Sequence, residues 1–316
     1  MLRYVTGRIG QALLVVLGAY SLTFVAIQLL PGDPITSFIA ANDLGFDEAT
    51  IAQMKAYYGY DQGLIGQYLS QVSGLARCNL GYSITSGKPV TTELVDALGP
   101  TVQLSAVALV IAITLSGAIV TCAALSRSPR LRSAVQALPP LIASVPTFWL
   151  GLVVLQVLSF RLRVMSVFPD GSLLSLLVPA TILAIVVSAP LSQVLLKSVT
   201  TALDEPFVKT VRAKGASARW VFARHVLKYS ASSAVTIVGL MTGALLAGAV
   251  VTETVFSRPG LGGLLENSVS NQNLPLVQGF VLLSAVVYVV VNLVVDLLYP
   301  IIDPRVVTGG APSSSR

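Results

Sequence analysis

The single histidine, His225, stands in a basic stretch with no second imidazole nearby, and no His-Glu-x-x-His pair occurs anywhere in the chain. The two cysteines, Cys78 and Cys122, fall outside and inside an apolar run respectively. Those different depths argue against a bridge, and two thiols alone give no metal pattern. No Gly-x-Ser-x-Gly elbow presents a nucleophile. The glycine-rich run Pro259-Gly260-Leu261-Gly262-Gly263 lacks the lysine of a phosphate-binding loop, so any ATP-driven step belongs to another polypeptide. Asp296, near the end of the last long apolar run, is the one acid read as lying within a span, where it could serve a proton-coupled carrier. No side chain therefore reads as catalytic, and no metal site is expected. The chemistry that remains is recognition.

The strongest candidate for recognition is the polar stretch 203–228. Asp204, Glu205 and Pro206 make a helix start, with acids and a proline in the first turn. Phe207, Val208 and Val211 form an apolar stripe beside Lys209, Arg212 and Lys214. Gly215 permits a turn that other residues resist. Ser217 then caps a second helix carrying Trp220, Val221 and Val226. Two short helices crossing at a glycine form a knob that a soluble partner could push. The same residues would also suit a basic helix lying on anionic lipid.

The elements that hold this knob are set by hydropathy. Charged residues make up 11% of the 316 and apolar ones 54%, and mean hydropathy is +0.80. A soluble domain carries about 25% charge. Charge-free windows run over Ile9–Leu30, Ala97–Ser126, Ser133–Phe160, Gly171–Leu196, Tyr229–Thr252 and Asn267–Val295. Each offers the ~20 residues that cross hydrocarbon as a helix, and within lipid the backbone must satisfy its own hydrogen bonds. The fold class expected is an all-α integral membrane protein with six spans, at 9–30, 100–125, 134–160, 173–197, 230–252 and 276–300. Arg3 and Arg8 precede a run too long for a signal core, so the first span is expected to be retained.

Six spans put both termini on one side. All but six of the 20 basic residues (Lys55, Arg77, Lys88, Arg161, Arg163 and Arg258) fall on that side with the knob. The positive-inside rule makes it the cytoplasm. The net charge of +6 thus reports topology and not a nucleic-acid partner.

Between the spans, residues 31–99 form an external helical segment. Ile51, Met54 and Tyr58 repeat at helical spacing after Asp47-Glu48, and Ile65, Leu69, Val72 and Ala76 repeat likewise. Such a cap either only packs on the spans or also receives a partner or substrate. Pro146 kinks the third span. Small residues from Gly239 to Ala249 let the fifth span approach its neighbours closely. An external loop is expected at 253–275 and a disordered tail at 308–316.

The run Lys209-Thr210-Val211-Arg212-Ala213-Lys214-Gly215-Ala216-Ser217, with Arg224-His225-Val226-Leu227 after it, resembles the coupling loop of ABC-importer permeases in their peptide-importer form. Further matches follow in order along the chain. They are Leu30-Pro31-Gly32-Asp33-Pro34, Asn79-Leu80-Gly81-Tyr82-Ser83, Val145-Pro146-Thr147-Phe148-Trp149-Leu150-Gly151-Leu152, Thr252-Glu253-Thr254-Val255-Phe256-Ser257-Arg258-Pro259-Gly260, and Asp303-Pro304-Arg305. The resemblance is to the first permease subunit of dipeptide and oligopeptide importers, a family that also holds nickel importers. Three positions depart from the pattern. Cys78-Asn79 stands where the family has Gly-Asp, Ser233 where it has a proline, and Thr210 and Val211 where the general signature has alanines.

The resemblance implies a type I permease fold in the bacterial cytoplasmic membrane, with both termini inside. It implies a non-catalytic translocation subunit working with a second permease, two ATPases carrying ATP and Mg, and an external solute-binding protein. Phe207, Val208, Val211, Arg212, Ala213, Lys214, Gly215 and Ala216 would then dock the ATPase. Met241, Leu245 and Glu253 are expected at the path or gate, because the fifth span follows the loop directly. Di- or oligopeptide is the substrate implied. Nickel or a haem-type ligand, or an ion-coupled carrier using Asp296, are the alternatives.

Overall fold

The computed structural model describes residues 2–29, 34–41 and 45–302. Among them the structure is helical, with one isolated bridge between Tyr82 and Pro89. The helices are α1 (Leu2–Gln28), α2 (Pro34–Ala41), α3 (Glu48–Tyr58), α4 (Leu64–Leu75), α5 (Val90–Leu125), α6 (Pro129–Ala143), α7 (Thr147–Leu155), α8 (Leu173–Asp204), α9 (Pro206–Ala213), α10 (Ala218–Val221), α11 (Leu227–Val255), α12 (Leu261–Ser270) and α13 (Leu274–Ile302). Leu30-Pro31-Gly32-Asp33, Asp303-Pro304-Arg305 and the expected tail 308–316 lie outside the described residues, as does the side chain of Asp296.

Five helices are long and apolar enough to cross a membrane, within α1, α5, α8, α11 and α13. The third expected span, 134–160, differs from a single kinked helix. It is the pair α6 and α7, the latter extended by a π-helical turn Gln156–Arg161, bent by 94° at the break. Pro146 stands at the N-cap of α7 with φ −63 and ψ 132, an extended conformation that ends one helix before the next begins.

The chain divides into two compact units. The first comprises residues 1–103 and 257–289. Its cap has a core of Ile35, Phe38, Ile39 and Ile84, against which Ile51, Met54 and Tyr58 pack as their spacing predicts. The cap is joined to the start of α13 by Asn273, whose amide donates to Ser83 Oγ at 2.8 Å and Thr85 Oγ1 at 2.7 Å and accepts from the Ile84 N–H at 3.2 Å. Helix α4 contradicts its expected apolar face. Ile65 and Leu69 are exposed, whereas Gln67 is buried. Gln67 Oε1 accepts from Gln28 at 2.7 Å, Gln71 Oε1 from Tyr20 at 3.0 Å, and Tyr68 meets Ser21 at 2.7 Å. The polar groups of α1 need partners in an apolar setting, and that need decides which face of α4 turns inward. Helix α13 approaches α5 at Gly279, where an added Cβ would stand 2.6 Å from Val90.

The second unit comprises residues 104–256 and 290–316. Its centre is α8, which buries Ala180, Leu183, Ala184 and Val187 against Leu104, Ala108 and Ala112 of α5 and Leu245 and Ala249 of α11. The small-residue stripe of α11 works as expected at Gly248, where a Cβ would meet Leu183 at 2.6 Å. Ser233, in the place of the family's proline, accepts a hydrogen bond from Ser198 of α8 at 3.3 Å.

Candidate functional site

The chain turns sharply after α8. Glu205 is extended, with φ −63 and ψ 142, and Pro206 opens α9 as the acids and proline predict. The Glu205 carboxylate accepts from the Tyr229 hydroxyl at 3.3 Å, tying the start of α9 to α11. On α9, Val208 is 1% exposed and sits in a cluster with Val120 and Ala123 of α5, Leu196 and Val199 of α8, and Val221, Phe222 and Val226. Phe207, Val211 and Ala216 pack half-buried on the same cluster. The apolar stripe therefore fastens the knob to the chain's own helices. Val208 has no surface to offer a partner, contrary to the expected docking set. An eight-residue helix is marginal on its own, so its apolar face is taken up by its own core first. What α9 shows outward is Lys209, Thr210, Arg212, Ala213 and Lys214.

Gly215 makes the turn at φ +89, in the left-handed region, and its N–H donates to the Arg212 carbonyl at 2.9 Å. A Cβ there would meet nothing within 4 Å, so the constraint is conformational and not steric. Ser217 caps α10 as expected, its Oγ accepting from the Trp220 N–H at 3.3 Å. A π-helical turn, Phe222–Val226, then leads into α11 and directs both Phe222 and Val226 inward.

His225 is half-buried among rings. Trp220 stands edge-on at 5.1 Å, and Phe207 is 6.3 Å away and in turn 6.1 Å from Tyr229. The histidine thus helps join α9, α10 and α11 through their aromatic faces. Sequence reasoning missed Tyr229. The signal was its spacing of four from His225, which places both rings on one helical face.

The expected path residues are placed differently. Met241 is half-buried at the edge of the α5–α8–α11 core, and Leu245 is inside it. Glu253 is fully buried in the last turn of α11, which runs to Val255, so the expected external loop at 253–275 starts later and contains α12. Cys78 and Cys122 are both free thiols.

The arrangement leaves the cationic side of α9 outward, where a partner protein could reach it, and ties α9 to α5 and α8 through the Val208 cluster.

Comparison with known proteins bears on which partner that is. A family model described as "Binding-protein-dependent transport system inner membrane component" matches residues 113–308, a stretch that includes the knob, α8 and α11. The chain is 30% identical over 337 residues to the dipeptide transport system permease protein DppB of Escherichia coli (strain K12), covering 97% of this chain and 99% of that one. It is 32% identical over 334 residues to the di/tripeptide transport system permease protein DppB of Pseudomonas aeruginosa (strain UCBPP-PA14), with the same shares covered. A solved chain of the MetNI methionine ABC transporter, in an inward-facing conformation, matches with a TM-score of 0.53 at 15% identity, over 66% of this chain and 95% of that chain. At that identity the likeness speaks for the fold alone.

Proposed function

The chain belongs to the family of binding-protein-dependent transport system inner membrane components, the permease subunits of ABC importers, and from that premise we propose that it is the first of two permeases in an ATP-driven importer of di- and oligopeptides. Peptide is favoured because the relatives described above are named for dipeptide and di/tripeptide transport. A similar second permease completes the path, and an external solute-binding protein delivers the substrate. Two ATPases, which carry the ATP and Mg, grip Lys209, Lys214 and the turn at Gly215 from the cytoplasm. The chain itself catalyses nothing.

The observation that carries this reading is the anchorage of the knob through Val208. A push on a flexible loop is lost as local motion. A push on α9 is delivered to α5 and α8, because these helices and α9 share one buried cluster, and reaches α11 through the π-helical turn Phe222–Val226 that belongs to the same cluster. ATPase closure would bias the permease pair towards one of two conformations, and reopening would release it.

The test is uptake into proteoliposomes holding the whole complex, with ATP and Mg enclosed on the knob side and binding protein outside. Labelled dipeptide should accumulate only when both are present. Accumulation without ATP, abolished by Asp296→Asn, would replace this reading with an ion-coupled carrier. ATP-dependent uptake of nickel or haem in place of peptide would replace the substrate.

A further inference from the structure

Beside the knob, the ends of α5, α6, α8 and α9 enclose a cleft of about 280 Å³. Its walls are Arg132 and Gln136 of α6, Asp204 at the end of α8, and Arg212 of α9, while Val120 and Val199 contribute an apolar floor. Arg132 donates to the Ser126 carbonyl at 3.0 Å, which fixes the guanidinium at the mouth. The volume lies just below the roughly 300–1,000 Å³ of small-molecule pockets. It suits a head group and not a whole lipid.

Depth identifies the occupant. Helix α8 has 32 residues, a length of ~48 Å, against ~30 Å of hydrocarbon. Centred on the hydrocarbon, the helix exceeds it by ~9 Å at each end, which sets its last turns, with Val199 and Asp204, at head-group level. Charge narrows the chemistry further. Two guanidiniums suit one phosphate. The Asp204 carboxylate beside them suits a hydrogen-bond donor on the same molecule, either an ammonium or a hydroxyl.

We propose that this cleft binds the head group of a glycerophospholipid that joins a phosphate to such a donor, with phosphatidylglycerol and phosphatidylethanolamine as the fitting types. The phosphate lies between Arg132 and Arg212, the donor on Asp204, and the acyl chains leave towards the bilayer. Because Arg212 is on α9 and Arg132 on α6, the bound lipid bridges the knob to the bent helix pair. This requires only that the helices span a bilayer and does not depend on the transported substrate.

The experiment is native mass spectrometry of the full transporter complex, reconstituted with equal phosphatidylglycerol, phosphatidylethanolamine and phosphatidylcholine and then released into detergent. Phosphatidylcholine has the phosphate but no donor. Phosphatidylglycerol or phosphatidylethanolamine should be retained about fivefold over it, the scale of one near-surface charge contact. Asp204→Asn, which removes the carboxylate acceptor for that donor, should abolish the preference. So should Ala124→Trp, which fills the cleft without altering its charge. Equal retention of the three lipids by the unmodified complex would overturn the proposal without recourse to any variant. So would a preference that survives both substitutions. Displacement of the lipid by millimolar glycerol 3-phosphate would overturn the lipid assignment in favour of a soluble phosphate ester.

Discussion

At Cys78 the backbone stands at φ +55, a conformation glycine adopts freely and other residues adopt at a cost. The resemblance to peptide-importer permeases puts a glycine at this position. The next residue has lost a charge but not its task, since Asn79 Oδ1 accepts from the Gly81 N–H at 3.0 Å as an aspartate would. Cys78→Gly should relieve the strain and raise stability by about 0.5–1 kcal/mol, read as a higher Tm in detergent with transport unchanged. Val208 makes a second case. Truncation to Ala removes a side chain buried in the knob cluster and should cost about 1.5–3 kcal/mol. The neighbouring Lys209→Ala, on the exposed side, should stay within about 0.5 kcal/mol of wild type. Thermal unfolding of the two variants side by side separates an anchored α9 from one held only by its partner. Gly215, Pro206 and Ser217 were legible as single residues because turn and cap preferences are local. The inward direction of Val208 was not, because a stripe on a short helix does not say which apolar surface it will meet.

Among the elements, the cap shows where periodicity succeeds and where it fails. Helix α3 packs the stripe that its spacing announces. Helix α4 does not, because buried amides and hydroxyls on α1 outweigh the apolar repeat. The spans were legible from charge-free length alone. The 94° bend between α6 and α7 was legible only as a proline, since nothing local to Pro146 fixes how far the chain turns. Asn273 holds the cap against the start of α13 through three hydrogen bonds. Asn273→Leu would strand the buried Ile84 N–H, while the Ser83 hydroxyl keeps Thr85 and the Ser86 N–H, and should cost about 1–3 kcal/mol. Proteolysis confined to residues 45–89, with the spans intact, is the expected signature. The start of α3 adds a pH dependence. The Thr50 side chain and N–H hold the Asp47 carboxyl below its ordinary value. Its contribution is therefore complete above the unfolded carboxylate range and is lost as pH falls through the lowered folded value. Amide protection at residues 48–50, corrected for the intrinsic exchange rate at each pH, should fall in acid while that of α8 does not.

Taken whole, the molecule is two compact units, and the knob belongs to the one built around α8. Its helical class and its long apolar helices were readable from hydropathy. Leu245 and Glu253, expected at the path or gate, are buried within the chain, and their nearness in sequence to the knob did not reveal that burial. The account rests on the knob being the seat of a motor, and co-purification tests that most directly. The tagged chain, isolated in mild detergent, should bring with it a second permease and the P-loop ATPases. In Gly215→Trp the new side chain meets open space while the left-handed turn is strained, so the chain should remain folded and keep its permease partner but lose the ATPases. A folded Gly215→Trp chain that retains its ATPases and imports normally would contradict it.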